Sequence, residues 1–437
     1  MATRRRKRTD QGRTPDGRFY SEDTPDSRTP TQRDRDRVLY SSAFSRLAEI
    51  TQVTSPEKGY VFHNRLTHSL KVGQIARRMA ELLQRDQAKE VEELGGLDAD
   101  AAEAAGLAHD LGHPPFGHIA EEELDRLIRS ARVKDGYEGN AQSFRILTRL
   151  ASSDARSSED LPLLGLNLTR RTLNGVLKYP WAHREHSEYA SKWGYYRTEK
   201  KIFDWVRDGC IGHQRSLIAE IMDWADDITF AIHDLLDFFC AGRIPIDRRK
   251  GRASVERGRL LSGMFLRKPT WAKARPEYEE TLLSIVEEFP FEPDERFTAS
   301  AADRARLFDF STGLIRHFVQ SIRIRIPTRD NARLVVIDAE AQREVEVLKQ
   351  FIWEYVILNP DLSVPQEGQR AAIRTVFERL LQAAKKKDYH LFPPAYYELI
   401  SEARINEECV RVVADCVSGM TEKEIIHFYH CLRGATA

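Results

Sequence analysis

The sequence predicts a mostly α protein. Two observations carry this: apolar residues recur at spacings of three and four along several stretches, and strand-like alternation is confined to two short segments. The chain has 437 residues, 41% hydrophobic and 31% charged, enough apolar material for a sizeable core plus an appended region. Residues 1–36 are rich in Arg, Asp, Thr, Ser and Pro and read as a flexible basic tail. Residues 69–83 place Leu70, Val72, Ile75, Ala76, Met79 and Leu82 mostly at spacings of three and four, and 101–111 is Ala-rich and apolar. The stretch 214–239 is apolar on nearly every side, the mark of a buried helix. Residues 243–257 are basic and read as a surface connection, so a catalytic core over 37–242 and a mainly helical region over 243–437 are expected. Segments 321–327 and 332–336 can pair as a small hairpin, followed by amphipathic helices over 339–358 and 369–384.

Formal net charge is zero, which gives no general argument for a nucleic-acid coat. No apolar run approaches the roughly 20 residues that span a bilayer, and the basic start lacks a following apolar segment, so a cytoplasmic protein with no membrane partner is expected. The five cysteines include no close pair and read as reduced thiols.

The chemistry concentrates in a few places. His109 and Asp110 end an apolar helix, and a buried His and Asp are costly unless paired or metal-bound. Gly112, Pro114 and Pro115 then stop the helix, allowing His113 and His118 to return toward the same place. Upstream, His68 lies at a helix start. Downstream, Asp226, Phe230 and Asp234 are spaced four apart on one face of the buried helix. His68, His109, Asp110 and Asp226 make an N/O donor set that suits Mn²⁺, Fe²⁺, Zn²⁺ or Mg²⁺ without selecting among them. Spacing alone leaves Asp227 open as an alternative to Asp226.

These residues sit in longer motifs: Asn64-Arg65-Leu66-Thr67-His68, the run from His109 through His118, Leu177-Lys178-Tyr179-Pro180, Ala225-Asp226-Asp227-Ile228-Thr229 and Gly419-Met420-Thr421. In them the chain resembles the HD superfamily, and more closely the bacterial deoxyguanosine triphosphate triphosphohydrolases. The resemblance implies a helical HD fold with a helical C-terminal extension, and a homo-oligomer. It implies release of a deoxynucleoside and inorganic triphosphate from deoxynucleoside triphosphates, and in some relatives a nucleotide or single-stranded DNA effector. It matches His68, His109, Asp110 and Asp226 to metal ligands, and His118 and Glu121 to the catalytic pair. Gln52, Val53, Arg65, Lys178, Phe230 and Asp234 match positions at the phosphates or sugar, while His113 can hold a phosphate or bond the turn. Phe230 stands where relatives commonly carry Tyr. Cys416 and Glu422 depart from the pattern too and read as packing changes.

The expected mechanism is water attack at the α-phosphorus, with His118 protonating the departing ester oxygen. An imidazole titrates near working pH, and Glu121, three residues on, can orient it. Two other readings compete: an HD phosphohydrolase acting on a nucleoside monophosphate or cyclic nucleotide, and a nucleic-acid sensor with a vestigial site.

Overall fold

The computed structural model describes residues 14–20, 22, 26–52, 64–151, 165–246, 253–292, 295, 297–328, 332–359, 363–403 and 406–434. Helices dominate. They include α1 (Pro30–Leu39), α2 (Arg65–Asp86), α3 (Ala99–Ala108), α4 (His118–Ser130), α5 (Gly139–Arg145), α6 (Arg170–Val176), α7 (Leu217–Thr229) and α8 (Leu235–Cys240). After these come α9 (Ala301–Gln320), the strands β1 (Ile322–Ile324) and β2 (Val335–Ile337), then α10 (Ala339–Ile352), α11 (Ser363–Lys385), α12 (Asn406–Gly419) and α13 (Glu422–Leu432). The expected hairpin is present, antiparallel, with Ile322 opposite Ile337. No described helix is long and apolar enough to cross a membrane. All five cysteines are free thiols.

Part of the stretch expected as a tail is ordered. Thr29 and Gln32 form a capping box and Pro30 opens the helix, so α1 starts inside it. Buried Asp34 then accepts from Arg18 at 2.7 Å and from the Thr169 hydroxyl at 2.6 Å. Aliphatic content misses this segment because paired polar groups bury it. Residues 1–13, 21 and 23–25 of the expected tail lie outside the described residues.

Two differences from the expected helix limits bear on the site. The Asn64 side chain accepts from the Thr67 amide, so α2 starts at Arg65 and places His68 within its first turn. The long buried helix is not uniform. Between α7 and α8, residues Phe230–Asp234 form a wider π turn. Eight residues of ideal α-helix overshoot two full turns, and the wider turn removes that overshoot. Asp226 and Asp234 therefore both reach His68.

Helix α2 packs along α3, and α7 crosses both. The α2–α3 crossing is close because glycine meets glycine. A Cβ on Gly106 would lie 2.7 Å from the Gly73 Cα, backbone that cannot swing away. His68 and His109 stand near this crossing, so the approach sets their separation. Ala is the better helix former than Gly by about 1 kcal/mol, whereas overpacking costs about 1–3 kcal/mol. Crowding wins here. Gly106→Ala is expected to lower the thermal midpoint by about 1–4 °C; an unchanged or raised midpoint in a melt followed by circular dichroism would contradict this packing.

The larger apolar cluster runs from Val38 through α2, α3 and α7 to Val356 and so crosses the boundary expected at residue 243. A smaller cluster joins Ala120, Leu124 and Ile128 of α4 to Phe377 of α11, Val413 and Val417 of α12 and Ile425 of α13. The C-terminal helices thus form the bed of the helix that carries His118 and Glu121.

Candidate metal centre and catalytic pair

Four side chains from three separate stretches converge. His68 Nε2 lies 3.1 Å from Asp226 Oδ1, and His109 Nε2 lies 3.7 Å from the same oxygen. His109 Nε2 is also 3.4 Å from Asp110 Oδ1, and the two imidazole rings are 5.6 Å apart. His109 Nδ1 donates to the Gly106 carbonyl at 2.7 Å, which turns Nε2 toward the carboxylates as an acceptor. That Nε2 is buried and has no hydrogen-bond partner. A buried imidazole nitrogen without a hydrogen bond, facing two carboxylates, is a donor set that a cation between them would satisfy. Donor atoms of His68, His109 and Asp110 lie within 4.8 Å of one another, as do those of His113, His118 and Glu121. The residues present therefore fit a divalent metal ion.

Asp226, not Asp227, faces the imidazoles; Asp227 pairs with Lys349 at 2.7 Å. Around the cluster the polar groups hold one another. Arg65 contacts Asp110 Oδ2 at 2.5 Å and the Gln52 carbonyl at 3.3 Å. Burial alone would push the Asp110 carboxyl up, but His109, His113 and Arg65 hold it well below the usual range. Asp226 is likewise held well down: burial opposes ionisation, and Lys178 and His68 outweigh it. For the His68 imidazole burial works downward, and the carboxylates of Asp226 and Asp234 push it up to about 10.

Several residues expected at the substrate are engaged with the side chains of the cluster. Lys178 sits between Asp223 at 2.6 Å and Asp226 at 3.1 Å, so its charge is committed to carboxylates. Arg65 is committed to Asp110 in the same way. Asp234 lies 3.6 Å from His68 Nδ1, on the side away from Asp226, where it backs the imidazole. Phe230 is partly buried with the Lys349 ammonium 5.9 Å above its ring. Gln52 flanks Arg65, whereas Val53 lies outside the described residues. His113 lies 3.0 Å from Asp110, and burial together with Arg65 lowers its pKa to about 4, which keeps it neutral.

The two residues expected to form the catalytic pair differ in exposure. The His118 side chain is 70% exposed and that of Glu121 10%, with Nδ1 and Oε2 2.8 Å apart. Glu121 Oε1 accepts from the Gly139 amide at 3.0 Å and meets Lys192 at 3.3 Å. Burial opposes its ionisation, but the hydrogen bond to His118 and the charge of Lys192 hold the carboxyl well below the usual range. Lys192 also reaches buried Glu138 at 3.1 Å. Lys192 carries no sequence signal, since it comes from an irregular loop whose position only the folded chain reveals.

A helical core holding a buried His–Asp cluster with an adjoining His–Glu pair defines an HD-domain phosphohydrolase. Residues 65–230 match the HD domain, and residues 335–431 match the phosphohydrolase-associated domain. The chain is 36% identical to a deoxyguanosinetriphosphate triphosphohydrolase-like protein of Corynebacterium efficiens, over 92% of this chain and 90% of that one. A like-named protein of Streptomyces coelicolor is 34% identical over 90% of each chain. Another, from Shewanella woodyi, is 31% identical over 91% of this chain and 90% of its own. The protein belongs to the family of deoxyguanosinetriphosphate triphosphohydrolase-like proteins.

Proposed function

We propose that the protein hydrolyses deoxynucleoside triphosphates, dGTP among them, to the deoxynucleoside and inorganic triphosphate. The observation that carries the reading is the buried, unbonded Nε2 of His109 facing Asp110 and Asp226 beside an exposed His118. The names borne by the relatives support the substrate class. His68, His109, Asp110 and Asp226 would hold the metal; when bound, it would lower the pKa of a water and offset phosphate charge. Asp234 and the Gly106 carbonyl orient the two imidazoles. Arg65 and Lys178 keep Asp110 and Asp226 ionised and make the site less repulsive to a polyanion. Glu121 holds His118 by Nδ1, which leaves Nε2 to give a proton to the departing ester oxygen. Lys192 and the Gly139 amide keep Glu121 ionised and fixed while it does so.

The test is a screen of the four deoxynucleoside triphosphates, singly and mixed, with Mn²⁺ or Mg²⁺ and products separated by chromatography. Intact triphosphate is expected; orthophosphate or pyrophosphate alone would overturn the proposal. His118→Ala is expected to lower turnover by about 10²–10⁴-fold, the usual contribution of a positioned proton donor. It should leave bound metal, read by elemental analysis, at the parent level. Loss of metal in that variant would move His118 from proton donor to ligand.

A further inference from the structure

The turn that delivers His118 is held in costly backbone. Phe116 has φ +68° and Gly117 has φ +59°, and the next residue begins α4. Left-handed backbone at a bulky residue such as Phe116 persists only where surrounding contacts over-determine it. The start of α4 has no side-chain cap, so the usual device for aiming a helix is missing. What holds the turn comes from the far end of the chain. Glu422, at the start of α13, accepts the Phe116 amide on Oε1 at 3.1 Å. The same oxygen accepts the Thr51 amide at 2.8 Å, and Oε2 accepts the Thr51 hydroxyl at 2.9 Å. One carboxylate thus joins both sides of the site: Thr51, next to Gln52, and Phe116, two residues before His118. Arg46 completes the clasp. Its Nη2 donates to the carbonyls of Leu111 and His113 at 2.8 and 2.9 Å, and its Nη1 to those of Ser418 and Met420 at 2.9 and 3.2 Å. The C-terminal turn and the His–Asp turn are therefore tied at both ends.

We infer that Glu422 is a positioning residue for His118, through which the C-terminal helices set the aim of the catalytic imidazole. The reading of Glu422 as a packing change is replaced: its carboxylate takes three hydrogen bonds. The inference rests on the proposed role of His118, and its test separates the two. Full-length Glu422→Ala and Glu422→Gln are compared with the parent chain in Mn²⁺-dependent dGTP hydrolysis and in amide hydrogen exchange of the segment 112–118. Misaiming a reacting group lowers kcat steeply, here by roughly 10–100-fold for Glu422→Ala. KM should rise by less than kcat falls, because Glu422 also holds Thr51 next to Gln52 while its contact with the turn acts on His118. Glu422→Gln keeps an acceptor oxygen and should recover part of kcat. Exchange in 112–118 should speed up in both variants, more in Ala. Parent kcat in Glu422→Ala, or unaltered exchange in 112–118, overturns the inference. A parent chain that hydrolyses no deoxynucleoside triphosphate overturns the functional reading instead, while the exchange comparison still decides whether Glu422 holds the turn.

Discussion

Asp226→Ala is expected to abolish both metal binding and hydrolysis, and a chelator should do the same reversibly to the parent protein. Asp226 Oδ1 faces both imidazoles, at 3.1 Å from His68 and 3.7 Å from His109, so its loss opens the centre of the cluster. A cation can lower the pKa of bound water from about 15.7 to about 7, so turnover should fall by roughly three orders of magnitude or more. Asp227→Ala is the matched control. Its carboxylate faces Lys349 and not the imidazoles, so bound metal should stay at the parent level. Equal metal loss in the two variants would show that the cluster is not the binding site. Titrating metal back into chelated protein, with turnover followed alongside, links the two readouts.

The parts of this centre that the sequence displays are those with local signatures. His109 and Asp110 precede a Gly and Pro break, and Asp226, Phe230 and Asp234 recur every four residues, so each has a local signature. Their convergence depends on the packing of α2, α3 and α7, including the close Gly73–Gly106 contact, which no periodicity encodes. Functional groups set by tertiary neighbours are less legible. Arg65 and Lys178 suit phosphate by charge, yet each has a carboxylate within salt-bridge distance, and only the packed structure shows it. Lys192, Arg46 and Glu422 act across long sequence separations and lie on no periodic face. The helical class was legible for a plain reason: the 3.6-residue period spans many residues at once, and a misplaced cap such as Asn64 shifts a boundary without changing the element.

The same physics makes a second large effect predictable, this time on stability rather than chemistry. Arg145 at the end of α5 is buried with two carboxylates. It contacts Asp415 of α12 at 2.6 Å and Glu199 at 2.5 Å, and all three side chains are at most 2% exposed. Burial by itself would lower the Arg145 pKa, and the two carboxylates raise it above the ordinary guanidinium value. Arg145→Ala would leave two buried negative charges without a cation. Removing one partner of a buried ion pair costs about 3–5 kcal/mol, against a total stability of about 5–15 kcal/mol for a folded protein. The variant should therefore lose about a fifth or more of its stability, read as a drop in the urea midpoint. The triad touches neither the imidazoles nor His118, so turnover per folded molecule at low temperature should stay near the parent value. Neutralising all three together, as Arg145→Met with Glu199→Gln and Asp415→Asn, removes the uncompensated charge and should restore much of the loss. A triple variant as unstable as Arg145→Ala alone would show that the guanidinium's hydrogen bonds, not the uncompensated charge, account for the loss. Loss of turnover in the folded single variant would extend the catalytic scaffold to a triad that the distances place outside it.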